Sequence, residues 1–139
     1  MGVWRTRGIH PRTKRMSDQP KPTELRLHRR SRMLEIAFDD GCRYELSCEY
    51  LRVFSPSAEV RGHGPGQEVL QTGKEWVSID RIEPVGAYAV RLHFDDGHST
   101  GLYSWETFYE LGQHQTDYWQ AYLNRLTSAG YVRKAPKSD

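Results

Sequence analysis

Among the side chains able to do chemistry in this 139-residue sequence, Cys42 and His98 occupy equivalent places of a repeat. The tetrapeptide FDDG occurs at Phe38–Gly41 and again at Phe94–Gly97, and Cys42 follows the first copy as His98 follows the second. A thiolate and an imidazole are both zinc donors. A full ligand set of Cys42, Cys48, His63 and His98 would require three separate segments to converge. The simpler reading makes His98 a hydrogen-bonding turn residue and Cys42 a small strand residue. No metal is the favoured expectation, with zinc or iron as the alternative. Cys42 and Cys48 have five residues between them, which is neither a CxxC pair nor a disulfide framework, so two reduced thiols are expected.

Three other patterns invite a chemical reading. His93-Phe94-Asp95 has the His-x-Asp spacing of the iron facial triad, but it lies on a strand and lacks a suitably distant third ligand. The run GHGPG (Gly62–Gly66) can form an anion-binding nest, yet it lacks the Lys-Ser/Thr of a phosphate loop and the preceding strand of a dinucleotide loop. Arg61 and His63 remain as contacts for an anion or a protein partner. Asp39–Asp40 and Asp95–Asp96 would gather a hard cation only if the two turns met. No Ser/His/Asp order and no reactive-cysteine context are visible, so no catalytic residue is assigned.

The elements that must position these groups follow from periodicity. Leu25, Leu27, Leu34, Ile36 and Phe38 alternate with polar residues as strands, with RRSR as a hairpin turn between them. A third strand runs over Cys42–Leu46, and Ser47 is placed to cap a short helix carrying Tyr50, Leu51 and Phe54. Ser55–Glu75 reads as one long loop, followed by a strand over Trp76–Val85, a turn at Pro84–Gly86 and a returning strand ending at Phe94. Ser104 caps a helix that Gly112 ends. A last helix begins at a Thr116 or Asp117 cap, carries Tyr118, Trp119, Tyr122, Leu123 and Leu126 on one face, and stops at Gly130. Offset by 56 residues, LEIAFDDGCRYELSCEYL overlies VRLHFDDGHSTGLYSWETF. Each copy is strand, acidic turn, strand, helix, and burial of each apolar face against its twin explains the doubling without chemistry.

Charge narrows the class. Arg5, Arg7, Arg12, Lys14 and Arg15 fall in the first 15 residues with no acid among them, leaving fifteen basic against eighteen acidic residues in the remainder. The folded part is therefore mildly acidic and lacks the footprint of a nucleic-acid binder. Residues 1–22 read as a flexible basic arm, or a leader upstream of translation starting at Met16. No apolar run approaches a membrane span and no signal peptide is evident, so a bacterial, cytoplasmic, single-domain protein is expected, its oligomeric state open.

The blocks LRLHRRSRMLEIAFDDG, YLRVFSPSAEVRGHGPGQ and GHSTGLYSWETFYELG resemble the gamma-butyrobetaine hydroxylase-like N-terminal domain family in its stand-alone bacterial form, over Thr23–Gly112. The resemblance implies a domain that, in larger enzymes, precedes an iron- and 2-oxoglutarate-dependent dioxygenase domain and binds a structural zinc. It also implies relatives fused to iron–sulfur P-loop ATPases or encoded beside ubiquinone-biosynthesis genes. The family's zinc set joins a histidine at the position of His98 to three cysteines at about Ser55–Val60, where this chain reads SPSAEV.

The expected fold is α+β: a small, mainly antiparallel structure of two related halves, with a C-terminal helix over 113–131 and a polar tail over 132–139. The expected function is a non-enzymatic accessory or protein-interaction domain, with Arg61, His63, Tyr103 and Trp105 on its binding surface and no nucleic acid or membrane partner. The alternative is a metal-binding auxiliary protein of an iron–sulfur, oxygenase or ubiquinone pathway, with His98, Cys42 and Cys48 as its ligands.

Overall fold

A computed structural model describes residues 19–62 and 68–134. The N-terminal basic segment, His63 with most of the glycine-rich run, and the last five residues lie outside the described residues. The fold is α+β. Strands β1 (Pro22–His28), β2 (Met33–Phe38) and β3 (Arg43–Ser47) form one antiparallel sheet in that order. Helices α1 (Cys48–Val53) and α2 (Ala58–Arg61) follow. Strands β4 (Ile79–Val85), β5 (Ala89–Phe94) and β6 (Leu102–Ser104) form a second antiparallel sheet, and α3 (Trp105–Gln113) and α4 (Gln115–Ser128) complete the chain.

The inner faces follow the alternation of the sequence. Leu34, Ile36, Phe38 and Leu46 of the first sheet share one core with Ile79, Val90, Leu92, Phe94 and Tyr103 of the second. Outer faces are polar in both: Glu35 binds His28 and Arg43, and Glu83 binds His93 at 2.9 Å with Arg91 and Arg81 nearby. These contacts are partly exposed and contribute little stability individually. They keep the outer faces solvated.

The two FDDG turns are built alike. Gly41 and Gly97 both take φ +92°, a conformation that strains any residue with a Cβ. In each turn the first aspartate accepts a backbone N–H from the preceding segment, Asp39 from Lys21 and Asp95 from Ser78, both at 3.1 Å. The second accepts the N–H two residues on, Asp40 from Cys42 at 2.9 Å and Asp96 from His98 at 3.1 Å. This is the turn-stabilising use of aspartate.

What differs is the partner of the second aspartate, and that partner comes from the opposite half. Arg52 of α1 donates Nε to Asp96 at 2.9 Å, while Tyr109 of α3 donates its hydroxyl to Asp40 at 2.5 Å. Arg52 and Tyr109 are 57 residues apart, as are the helix caps Ser47 and Ser104. Each helix thus clasps the turn of its twin. Lys74 adds a second cation on Asp96 at 2.7 Å. Burial works to raise the Asp96 carboxyl, but hydrogen bonds from Lys74, the His98 amide and Arg52 hold it down at about 2.

Several expectations hold in detail. Ser47 accepts from the Tyr50 amide and Ser104 from the Thr107 amide, as helix N-caps do. Gly130, at φ +77°, stands just past the end of α4. Others are corrected. Ser55–Glu75 is not one loop, because Ser57 accepts the Glu59 amide at 3.1 Å and caps the single turn α2. The strand expected from Trp76 begins at Ile79, since Lys74–Val77 forms a turn, and Pro84 sits inside β4 rather than in the hairpin turn. An edge strand tolerates a residue with no N–H. The last helix starts at Gln115, with Thr116 and Asp117 inside its first turn, and His114 is both the C-cap of α3 and the N-cap of α4. The tail is fixed through Lys134: Arg133 donates Nε to Glu49 at 3.0 Å, and the Tyr131 hydroxyl and Lys134 amide both reach Glu75 at 2.7 Å.

Gly112 does not end α3. It lies inside the helix, where an added Cβ would stand 2.5 Å from the Tyr44 ring. Its counterpart 57 residues earlier is Ser55, and Ser55 packs against Gly101, the counterpart of Tyr44. One half thus makes a bulky contact, tyrosine on glycine, where the other makes a small one, serine on glycine. Gly112→Ala is therefore expected to destabilise the fold by about 1–3 kcal/mol despite the better helix propensity of alanine. The Tyr44→Ala background should remove that cost. Urea denaturation of the three variants checks both statements.

Candidate functional site

The small Ser55–Gly101 contact leaves room for a polar cluster beside the second acidic turn. His98 is buried and sits between two partners: Nε2 lies 3.0 Å from Ser55 Oγ, and Nδ1 lies 2.9 Å from Glu59 Oε1. Ser55 Oγ also accepts the Ser57 amide at 3.3 Å, and Ser57 Oγ is 2.6 Å from Thr100 Oγ1. Serine, histidine and carboxylate thus fall in the order of a nucleophile, base and orienting acid. The sequence pattern does not reveal this set, because Ser55 and His98 are 43 positions apart and the acid enters from α2, whose sequence resembles a loop.

The set is a structural tie rather than an exposed reaction centre. Ser55 has no accessible surface, and its hydroxyl is pressed against Gly101. Burial holds the His98 imidazolium form unfavourable, the Arg52 charge adds to this, and Glu59 only partly opposes it, so the pKa of His98 lies below its ordinary value. A neutral ring with Nδ1–H toward Glu59 and Nε2 accepting from Ser55 satisfies every polar atom of the relay.

The metal candidates do not come together. Cys42 is half-buried in the first turn with Sγ 3.7 Å from the Tyr109 hydroxyl. Cys48 is buried at the start of α1, where desolvation pushes its thiol up to about 11. Among the described residues no three His, Cys, Asp or Glu side chains are grouped to hold a metal ion. Both nitrogens of His98 are engaged, and serine stands where a thiolate would be needed, so the residues present do not fit the zinc set that the resemblance implies. His93 bonds Glu83 on the outer face while the Asp95 carboxylate holds the Ser78 amide, so His-x-Asp forms no common site.

The expected binding surface is divided. Tyr103 is buried, its hydroxyl donating to Leu51 O at 2.5 Å, because alternation along β6 turns it inward. Burial raises its phenol above the ordinary value. Trp105 is half-buried, donates Nε1 to Ala87 O at 2.9 Å and stacks on Phe108. Arg61 stands elsewhere, on the rim of a cleft of about 360 Å³ walled by the α1–α2 segment, α3 and α4. Val53, Phe54, Val60, Leu111 and Tyr122 supply its apolar walls, and Arg61, Glu68, Glu110 and Arg125 its charged groups. The guanidinium groups of Arg61 and Arg125 are exposed and have no hydrogen-bond or ion-pair partner among the described residues, whereas Glu110 accepts from the Tyr118 hydroxyl at 2.7 Å.

The overall fold is shared with several solved structures. The gamma-butyrobetaine hydroxylase-like N-terminal family model matches residues 25–109, and the chain belongs to this family. Two solution NMR structures are similar to it: one at 54% identity over 91% of this chain and 95% of the other, with TM-score 0.74, and one at 44% identity over 86% and 94%, with TM-score 0.72. A crystal structure of a protein of unknown function in the DUF971 family, from Acidithiobacillus ferrooxidans, matches at 42% identity over 66% and 91%, with TM-score 0.55. No curated protein matches. Among the described residues no helix is long and apolar enough to cross a membrane.

The relay predicts a pH dependence of stability. A histidine whose folded pKa is depressed adds stability that is fully present above its unfolded value near 6.5 and is lost as pH falls from there through the lower folded pKa. Thermal unfolding from pH 7.5 to 5 should show a falling Tm in the wild type. The slope should be shallower in His98→Gln, which keeps a polar side chain but cannot titrate.

Proposed function

We propose that this chain is a non-enzymatic accessory domain that works by docking a protein partner in the cleft between the α1–α2 segment, α3 and α4. The supporting observation is the cleft itself, lined by Val53, Phe54, Val60, Leu111 and Tyr122 beside two exposed guanidinium groups with no partner among the described residues. Its volume of about 360 Å³ lies at the low end of the roughly 300–1,000 Å³ of ligand pockets, enough to seat an anchoring side chain. Buried anchors of this kind carry most of the energy of protein recognition. Trp105 belongs to the scaffold in this reading, since its indole is committed to the β4–β5 turn. Among groups with chemical potential, Ser55, His98 and Cys48 are all buried.

The cleft can be closed without touching the core. Ala121 is an exposed lining residue on α4, and Ala121→Trp places an indole in the opening. In the native host, tagged wild-type protein should retain a stoichiometric partner that Ala121→Trp loses, with unchanged Tm, while Trp105→Phe retains it. Equal retention by wild type and Ala121→Trp would remove the cleft as the docking site.

A further inference from the structure

The exposed face of α4 that borders the cleft carries a self-complementary pattern. Asp117, Ala121 and Arg125 are spaced four residues apart on this helix, so they share one stripe, and all three are exposed. Ala121 and Arg125 line the cleft, as does Val69, which is 50% exposed. Polar neighbours of the stripe are satisfied within the chain: Gln120 donates to Asn124 at 3.1 Å, and the Tyr118 hydroxyl donates to Glu110 at 2.7 Å. The Asp117 carboxylate and the Arg125 guanidinium have no hydrogen-bond or ion-pair partner among the described residues. They stand about 12 Å apart along the helix axis, too far to pair with each other. Each sign suits its own end of the helix dipole. The dipole does not require that the two charges share a stripe, at equal distances from the smallest side chain on it.

The charges of the cleft rim are balanced, Arg61 and Arg125 against Glu68 and Glu110, so the rim selects neither an acidic nor a basic partner. A partner with opposite signs at matching places is supplied by the chain itself. A two-fold axis at Ala121 that sets two α4 helices antiparallel brings Asp117 of each copy opposite Arg125 of the other. Resting on the docking reading above, we infer that the partner is a second copy of this chain, joined α4 to α4 about Ala121 by two Asp117–Arg125 ion pairs. Alanine at the crossing lets the helix axes approach to about 8 Å, the short end of the usual range. Because Ala121 lines the cleft, each crossing helix lies over the other's opening, beside the half-exposed Val69. The ion pairs set the direction of pairing, since parallel helices would place like charges opposite one another.

Sedimentation equilibrium of the full chain tests this. Wild-type protein should be at least half dimeric at about 100 μM. Asp117→Arg and Arg125→Asp each set like charges opposite one another twice, and each should raise the dimer Kd at least about tenfold with unchanged Tm. The two single variants mixed in equal amounts should associate with each other, because the mixed pair restores opposite charges at both places. The double variant Asp117→Arg/Arg125→Asp should regain the wild-type dimer for the same reason. A wild type still monomeric at about 1 mM, single variants that dimerise as the wild type does, or a mixture that stays monomeric would each overturn the second-copy inference. The partner captured in the native host separates the two levels. Its loss from Ala121→Trp, with a wild type that is monomeric in solution, keeps the cleft as docking site and removes the second copy. Its retention by both wild type and Ala121→Trp removes the docking site itself.

Discussion

The rest of this fold depends on a reciprocal grip: Arg52 of the first half holds Asp96 of the second, and Tyr109 of the second half holds Asp40 of the first. Each carboxylate is already bonded to the backbone of its own turn. One group therefore fixes both the turn and the helix that reaches across to it. Arg52 is buried, so its guanidinium would be costly without the carboxylate, and Gln71 takes a further donor at 3.0 Å. A buried charge that must find a partner in the other half ties the two halves together.

Equivalent positions then diverge to do different work. Where the first half places Tyr44, the second places Gly101, and the helix ends answer with Gly112 and Ser55 respectively. The bulky pairing closes the first turn around a cluster of rings, with Phe38, Tyr44 and Tyr109 in edge contact at centroid distances of 5.0 to 6.1 Å. The small pairing leaves volume at the second turn, and His98, Ser55 and Glu59 fill it with a hydrogen-bonded relay. That relay fastens the α1–α2 connection to the second turn and so helps shape one wall of the cleft.

Much of this was legible in the sequence. The alternation of Leu25 to Phe38, the doubled FDDG and the caps Ser47 and Ser104 each express a local rule, and local rules are visible in a linear pattern. The misreadings have a common cause in contacts distant along the chain. Gly112 looked like a helix stop because the Tyr44 ring that demands a glycine there comes from β3. Tyr103 looked like surface because an aromatic residue near a helix start gives no sign of which face of its short strand is covered. Ser55 and His98 were each considered, but as a lost ligand position and a turn residue, and the hydrogen bond joining them is not a spacing. The cleft was not legible at all, since its walls come from four separate stretches of chain. Of the expected binding residues that the structure describes, Arg61 is placed on it and Tyr103 and Trp105 are not.

The claim that the halves hold one another is tested most directly by amide hydrogen exchange in Arg52→Gln, read residue by residue. The account predicts the larger loss of protection across the pseudo-symmetry, at the Gly97 and His98 amides of the second turn, with the Gly41 and Cys42 amides of the first nearly unchanged. Loss confined to α1 and the first turn, with the second turn still protected, would contradict it.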